Sequence, residues 1–495
     1  MENKPTSSPP GNRRRNIGLM LGITAFVVML ASPPPDTLSI EGWRTAAIAV
    51  LMAVFWASEA MPVPATALVP LVAFPLLGVS GIKATAAPYG HPLIFLFLGG
   101  FLLALGMQRW NLHRRIALHI VSLAGGRPHA LVMAFMVATA FLSMWVSNTA
   151  TTMMMLPVAV SVIAVLADSD DVASAPVRHN FSLSLMLGIA YAASIGGLGT
   201  LVGTPPNALL AAFFSDTYGI EIGFAEWMMI GVPVVLIMLP LTWLLLTRLI
   251  YPFELKSLGE DESAVTATLR YMGDITVPEK RVGMVFLFVA LFWICRPLLN
   301  DFALFKGLTD TGIAIGGALL LFLLPSGERT ESGAQAPLLG WEGAKELPWG
   351  VLVLFGGGLS LAGAFSRTGL AEWIGSGIEA AGVSQTWAVI LIVVALVIFL
   401  TELTSNTATT ATLLPVLGSV AAGMGIAPLE LAVPAALAAS CAFMLPVATP
   451  PNAIVFGSGH VTIPEMVRAG LLLNLLGIMV ITLFANLALP AISGL

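Results

Sequence analysis

The most constraining feature of this sequence is a polar cluster that interrupts a long apolar run at two places. The hexapeptide SNTATT stands at 147–152, inside the apolar region 130–167, and again at 405–410, inside 385–423. The chain is 57% hydrophobic and only 10% charged, with a mean hydropathy of +0.92, whereas soluble domains carry about 25% charged residues. A bilayer is therefore the expected solvent. A polar break there must be buried in protein or line a wet cavity.

Apolar windows of about 20 residues, the length that crosses a bilayer, predict eleven spans. They lie near 17–32, 43–60, 64–78, 92–108, 180–213, 225–250, 282–298, 309–325, 349–365, 432–457 and 470–490. The two interrupted regions are predicted to be re-entrant hairpins, which enter and leave on one side. The expected fold class is an all-α polytopic membrane protein. The composition excludes an ordinary soluble enzyme, a nucleic-acid binder and a disordered protein.

Basic residues set the predicted orientation. With the N-terminus inside and both hairpins re-entrant, most of the 22 Lys and Arg residues fall on the inner side, which agrees with the positive-inside rule. Residues 1–16 are rich in Pro, Ser and Arg and are expected to form a disordered cytoplasmic tail. The short loops favour a bacterial inner membrane.

Internal repetition extends well beyond the hexapeptide. The offset of 258 residues between its copies also relates Leu156, Pro157 and Val158 to LPV at 414–416, and LF-GG at 96–100 to LF-GG at 354–358. A second motif, TPPNA, occurs at 204–208 and 449–453, an offset of 245. The first copy begins with a span running inward and the second with a span running outward. The sequence thus predicts inverted repeats, which place a transporter's site near the midplane.

The repeat divides the chain into five predicted segments. These are the tail 1–16, N-terminal scaffold helices 17–91, a first repeat core 92–223, scaffold helices and cytoplasmic loops 224–348, and the second repeat 349–495.

Both motifs have the chemistry of an ion site. Proline in TPPN prevents a continuous helix, which frees carbonyls before the break and amides after it. Carbonyl, Asn and hydroxyl oxygens suit a small alkali cation, whereas helix N-termini and amide donors suit an anion. Neither motif contains Lys, Arg or His, so bound cations and helix ends are expected to offset the charge of the anion.

These motifs, together with the early run FWASEAMPVPATALVPLVAFPLLGV, resemble the divalent anion/sodium symporter family over nearly the whole chain. The resemblance implies a homodimer in which a moving transport domain carries the site past a fixed scaffold, an elevator form of alternating access. It also implies an SNT triplet at each hairpin tip.

The resemblance further implies the site residues, position by position. Two sodium sites are expected, the first from Ser143, Ser147, Asn148 and the carbonyl of Gly203, the second from Thr401, Ser405, Asn406 and the carbonyl of Ala448. The substrate carboxylates are expected at Asn148, Thr149, Asn406 and Thr407, with Thr204, Pro205, Thr449 and Pro450 closing the pocket. Ser143 and Thr401 stand one helical turn before their SNT serines, a spacing that agrees with this assignment.

The predicted function is sodium-coupled import of small divalent anions, with the C4 dicarboxylates succinate, malate and fumarate first. Citrate or sulfate symport and sodium-independent exchange remain alternatives. A channel would not require two cation ligand sets, and a membrane enzyme would need a nucleophile with a base, or a metal cluster, neither of which the sequence offers. Sodium is the only ion expected, without a transition metal. The expected partners are a dianionic carboxylate, lipid and a second copy of the chain, and no nucleic acid.

Two further features carry two interpretations each. Glu402, between Thr401 and Ser405, either couples to a cation or proton, or steadies the hairpin through a neighbouring amide or hydroxyl. The glycines at 99–100 and 356–358 serve either as hinges or, as we expect, in close packing. The acidic loop of Asp168, Asp170 and Asp171 is expected to be a solvated surface.

Overall fold

The structure is a computed structural model that describes residues 10–167, 174–255, 264–329, 335–380 and 385–489. The predicted acidic loop of Asp168, Asp170 and Asp171 lies outside these ranges. The described chain is mostly helical, as predicted, and its buried apolar side chains form one large core with a small satellite cluster under the first helix.

In the described part of the chain, five α-helices precede the first repeat: α1 Pro10–Ala31, α2 Ile40–Ser58, α3 Val63–Thr66, α4 Val69–Leu76 and α5 Ile82–Ala86. The prediction of a disordered tail over 1–16 is therefore wrong for its last seven residues, which belong to α1, and residues 1–9 are outside the described part. Contacts of Arg14 with the carbonyl oxygens of Ala57 and Leu403 explain this order, because they tie the first turns of α1 to α2 and to a turn late in the chain.

The predicted span at 64–78 is also different in the structure. It consists of α3 and α4, two short helices that meet at Ala67 and Leu68. Pro64, Pro70 and Pro75 each lack an amide donor, so a continuous helix over this stretch would lose several hydrogen bonds. The hydroxyl of Tyr89 donates instead to the carbonyl oxygen of Ala67, at 2.5 Å.

In the described part of the chain, each repeat contains six α-helices in the same order. The first copy contains α6 Pro92–Arg109, α7 Leu112–Ser122, α8 Pro128–Ser143, α9 Asn148–Ala167, α10 Ala175–Gly197 and α11 Pro205–Tyr218. The second, reached through the middle segment of the chain, contains α16 Trp349–Arg367, α17 Leu370–Ala380, α18 Thr386–Thr401, α19 Asn406–Met424, α20 Pro428–Ala439 and α21 Pro450–Gly457. Helices α7, α8 and α17, α18 start and end 258 residues apart, so the register found in the sequence also fixes helix boundaries. The inverted orientation stays a prediction.

The middle segment connects the copies through α12 Phe224–Leu244, α13 Ala264–Met272, α14 Val277–Leu299 and α15 Asp310–Leu323, and the final helix of the chain is α22 Ile463–Leu487. The span that begins with α12 ends in a short π-helix, Leu245–Ile250, which is wider than an α-helix. A two-stranded antiparallel hairpin, β1 Pro325–Arg329 and β2 Gln335–Pro337, follows α15. This hairpin was not predicted from the sequence, because no alternating apolar pattern marks so short a pair of strands.

Among the described residues, nine helical stretches are long and apolar enough to cross a membrane. The second arm of the later hairpin, α19, is one of them, whereas α15 and the pairs α3–α4 and α20–α21 are shorter. The exact number of spans, predicted as eleven, therefore stays a prediction. Helices α6, α12 and α16 begin at 92, 224 and 349, where the predicted segments begin. Which segments move also stays a prediction.

The glycine clusters lie at close helix contacts. A Cβ on Gly99 would stand 2.7 Å from the backbone carbon of Ala314, and one on Gly357 would stand 2.3 Å from the carbonyl oxygen of Ala67. Real Cβ atoms do not approach so closely, so only glycine fits at either position. These contacts favour the packing interpretation over a hinge.

We call α7 and α17 the arm helices. In the chain, α7 stands between α6 and the first hairpin, and α17 stands between α16 and the second. Each makes a contact outside its own repeat, and the two contacts start from positions that correspond in the repeat. Arg115 of α7 donates to Glu279 at 2.8 and 3.2 Å and to the carbonyl oxygens of 272–274. At the corresponding position of α17, Trp373 donates to the hydroxyl of Thr37, at 3.0 Å. Each arm helix is thus fixed to a segment outside its own repeat.

Candidate ion and substrate site

Each hairpin tip contains a hydroxyl that donates to the asparagine of its SNT triplet. In the first hairpin Ser143, the last residue of α8, donates to Oδ1 of Asn148 at 2.5 Å, and in the second Thr401 donates to Oδ1 of Asn406 at 2.6 Å. Ser143 and Thr401 are fully buried. Because the hydroxyl hydrogen is used in this bond, the hydroxyl oxygen keeps lone pairs for a cation.

The SNT serines lie at the starts of the following helices. Ser147 precedes α9, is exposed, and accepts from the amide of Ala150 at 3.3 Å. Ser405 is the N-cap of α19 in an extended conformation, with no hydrogen bond from its side chain to the first turn. Helices α9 and α19 therefore begin at the polar cluster, where their first amides are directed at the site.

TPPN breaks a helix in both copies. Thr204 and Thr449 are extended N-cap residues, with φ of −147° and −140°, and Pro205 and Pro450 are the first residues of α11 and α21. Thr449 accepts from the amide of Asn452, whereas Thr204 lies 3.3 Å from the hydroxyl of Ser440 in the other copy. Proline at the first helical position needs no amide partner, so both breaks start a helix without an orphaned donor there.

The asparagine of each TPPN motif fastens the break that precedes it. Nδ2 of Asn207 donates to the carbonyl oxygens of Gly197 and Thr200, at 3.0 and 2.7 Å. Nδ2 of Asn452 donates to the carbonyl oxygens ten and seven residues earlier, at 3.2 and 3.0 Å. Both side chains are fully buried. They supply donors to carbonyls that the broken helices leave without amide partners.

The first set of predicted sodium ligands meets around Gly197, the last residue of α10. A Cβ built on Gly197 would lie 3.0 Å from Oδ1 of Asn148 and 3.1 Å from the carbonyl oxygen of Gly203. Thr200 also donates its hydroxyl hydrogen to the carbonyl oxygen of Met144 in the hairpin tip. The structure thus brings Ser143, Asn148 and Gly203 together, with Ser147 at the helix start beside them.

A buried carboxylate stands next to Thr401 of the second set. Glu402 follows Thr401, is 3% exposed, and accepts from the amides of 443, 444 and 445 at 2.7, 2.9 and 3.1 Å. Asn474 of α22 donates to the same carboxylate at 2.8 Å. Four donors occupy this carboxylate, which favours the interpretation that Glu402 steadies the hairpin over direct cation coupling.

The remaining predicted residues are near these elements. Oγ1 of Thr401 also lies 3.0 Å from the carbonyl oxygen of Ala439 at the end of α20. Its single hydroxyl hydrogen serves either this carbonyl or Oδ1 of Asn406 at any one time. Ala448 lies in the turn before Thr449, and its amide donates to the carbonyl oxygen of Leu445 at 3.1 Å. Thr149 and Thr407 lie in the first turns of α9 and α19. In the part of the chain that the structure describes, no hydrogen bond connects Ala448 to Asn406.

Sequence reasoning missed three contributors to this site. Asn207 and Asn452 belong to the TPPN motifs, in which only the threonine and the first proline were assigned a role. The signal that could have identified them is their short distance in sequence from the end of the preceding apolar run. Asn474 lies in the final apolar helix and had no local signal. Neutral oxygens dominate the site, and the described residues contain no group of three or more His, Cys, Asp or Glu that could hold a metal ion.

Comparison with known proteins identifies relatives over the full length. Residues 13–492 match the family described as the sodium:sulfate symporter transmembrane region. The chain is 42% identical over 484 residues to the sodium-dependent dicarboxylate transporter SdcS of Staphylococcus saprophyticus, covering 97% of this chain and 92% of that protein. The SdcS protein of Staphylococcus aureus strain bovine RF122 is 41% identical over 497 residues, covering 99% of this chain and 94% of the relative.

Two solved structures share the fold at low sequence identity. The YdaH transporter of Alcanivorax borkumensis has a TM-score of 0.58 and 14% identity, and the match covers 97% of this chain and 99% of that one. MtrF of Neisseria gonorrhoeae has the same TM-score and 12% identity, over 97% and 96% of the two chains. At these identities the similarity concerns the fold alone.

We expect Glu402→Gln to lower the stability of the folded protein, because a neutral amide replaces an anion that accepts four hydrogen bonds. Bonds to charged groups contribute about 1.5–3 kcal/mol each, and an unpaired buried group costs about 1–3 kcal/mol. The midpoint of thermal unfolding in detergent should fall clearly. Glu379→Gln, on the exposed end of α17, is the matched control and should leave it unchanged. Unaltered stability together with an altered sodium dependence would instead support direct coupling.

Proposed function

We infer that this chain, which belongs to the sodium:sulfate symporter family, carries small dicarboxylates across the membrane together with sodium. It is a transporter rather than an enzyme. The observation that carries this proposal is the duplicated cluster of hydroxyl, amide and carbonyl oxygens at two broken helices, in a chain whose full-length relatives are named sodium-dependent dicarboxylate transporters.

Succinate, malate and fumarate are the proposed substrates. The family description names sulfate, but the two relatives at 41% and 42% identity are both named for dicarboxylates. Citrate and sulfate are therefore second candidates. A sodium-independent exchanger is disfavoured because both sets of neutral oxygen ligands are complete in this sequence.

Two sodium ions are proposed to bind at the hairpin tips. Ser143, Ser147, Asn148 and the carbonyl of Gly203 supply the first ligand set; Thr401, Ser405, Asn406 and the carbonyl of Ala448 supply the second. The hydrogen bond that orients each asparagine supports this assignment. The close approach of Asn148 and Gly203 around Gly197 supports it for the first set.

The substrate is proposed to lie between the two tips. Helices α9, α19, α11 and α21 all begin at the motif residues, so four positive helix ends are available to two carboxylates. Amide hydrogens of Asn148 and Asn406 and the hydroxyls of Thr149 and Thr407 add directed donors. Thr204, Pro205, Thr449 and Pro450 close the pocket.

The proposed mechanism is alternating access by an elevator movement within a homodimer. The site residues come from two contiguous blocks, about 143–207 and 401–452, so one body can carry the whole site. Contacts between the blocks support this: α9 and α10 both pack on α21, and Thr204 faces Ser440. The proposed setting is a bacterial inner membrane with the N-terminus in the cytoplasm.

Uptake of radiolabelled succinate into proteoliposomes tests the function. We expect uptake to be saturable and to require an inward sodium gradient. The succinate recovered from the vesicles should be chemically unchanged. Unlabelled malate and fumarate should compete better than citrate or sulfate. Uptake of equal rate without sodium, driven by succinate loaded inside, would identify an exchanger.

Ser147→Ala and Ser405→Ala should each raise the sodium concentration for half-maximal uptake about tenfold. Removal of one oxygen ligand weakens a charged interaction that is typically worth about 1.5–3 kcal/mol. Ser161→Ala, on the exposed face of α9, is the control and should behave as wild type. Unchanged sodium dependence in both variants, at normal membrane levels, would remove these serines from the sites.

Crosslinks between block and scaffold should stop transport. Ala53 of α2 and Thr412 of α19 line the same groove, so a cysteine pair at these positions, joined by a short bifunctional reagent, should trap one state. A reagent that can be cleaved should restore turnover. A pair that joins α9 to α21 lies within the proposed moving body and should be tolerated. The reverse pattern would replace the elevator with local gating.

A further inference from the structure

The groove between α1 and α2 has the chemical character of a lipid site. Helix α1 is poorly covered by the rest of the protein, since only 11% of its most apolar window is buried. Beside it lies an open cavity of about 550 Å³. Ile17 and Leu21 of α1 and Val54 and Ala57 of α2 provide its apolar wall.

Two arginines close one end of this groove. Arg13 and Arg14 line it, both are exposed, and no acidic residue is among the lining residues. Arg13 makes no hydrogen bond or ion pair with any residue that the structure describes. Both lie in the first turns of α1, where the helix dipole adds positive potential. An apolar groove that ends at two guanidinium groups is complementary to an acyl chain ending at a phosphate.

Arg14 also holds the tip of the second hairpin. Its Nη2 donates to the carbonyl oxygen of Ala57 at 2.5 Å and to that of Leu403 at 2.8 Å. Leu403 lies between Glu402 and the SNT serine. A guanidinium has five donor hydrogens, so the Nε and Nη1 groups of Arg14 stay available to an anion while Nη2 holds both carbonyls.

We propose that one anionic phospholipid occupies this groove, with its phosphate at Arg13 and Arg14 and an acyl chain between α1 and α2. The lipid phosphate fixes the guanidinium of Arg14, which in turn holds the carbonyl of Leu403. The lipid thereby stabilises the state in which the second hairpin tip lies against α1. Binding itself does not depend on the proposed function, and only its effect on transport rests on that function.

Native mass spectrometry of the purified full-length protein tests binding directly. Phosphatidylglycerol should be retained in preference to phosphatidylcholine with the same acyl chains. Arg13→Ala and Arg14→Ala should each lower the affinity about fivefold, the usual effect of one basic residue near an anionic lipid surface. Arg15→Ala, which removes an exposed neighbouring charge outside the groove, is the matched control and should have a smaller effect. Ala57→Phe should also reduce retention by filling the groove while keeping both charges.

Three results would overturn the lipid site. These are equal retention of the two lipids, an equal loss in Arg15→Ala, and displacement by glycerol phosphate alone, which would indicate a site for free phosphate. Hydrogen–deuterium exchange of residues 402–408 tests the link to the hairpin. Phosphatidylglycerol should slow exchange in the wild type and not in Arg14→Ala, and slowing in both would separate the lipid from the hairpin tip. Neither readout uses transport, so failure here differs from failure of the proposed function.

Discussion

Broken helices in an apolar solvent leave backbone groups that need partners inside the protein, and the site follows from how this chain supplies them. Asn207 and Asn452 donate to carbonyls that the breaks expose, and Glu402 accepts from three consecutive amides. Because these partners are side chains, each break is fixed without a continuous helix. The hydroxyl and carbonyl oxygens that remain are the proposed sodium ligands, in an environment where an unpaired polar group is costly.

The sequence allowed prediction of the features that depend on local pattern. The length of the apolar runs predicted the main helices, and proline and the SNT triplets predicted the breaks. The repeat register agrees with the boundaries of α7, α8, α17 and α18. Other features depend on residues far apart in the chain. Glu402 meets the amides of 443–445 and Asn474, and Arg14 meets Leu403, 389 residues away. No local pattern encodes such a partner. The division of the predicted span 64–78 into two short helices could have been predicted from its prolines. An average of hydropathy over the whole window does not reveal it.

The two copies connect the hairpin tip to the broken helix through different chemical groups. Both place a hydroxyl against the SNT asparagine and an asparagine amide against the break. In the second copy, however, the residue after Thr401 is Glu402, whereas Met144 stands at the corresponding position of the first. There, the backbone carbonyl of Met144 accepts from Thr200 instead. The first tip is thus joined to its break by a neutral bond, and the second by a buried carboxylate. Substitutions at equivalent positions should therefore have unequal effects in the two hairpins.

Each arm helix is tied to a segment outside its own repeat, α7 by Arg115 to Glu279 and α17 by Trp373 to Thr37. Arg115 and Glu279 form a buried pair whose loss is strongly destabilising, so this attachment is firm. Each arm helix has 11 residues and is therefore about 16 Å long at 1.5 Å per residue. Each arm helix also packs along a hairpin helix of its own repeat, α7 on α8 and α17 on α19. A change at either attachment, such as the loss of Arg115 or Trp373, is therefore transmitted to a hairpin helix and is not confined to the segment that holds the arm.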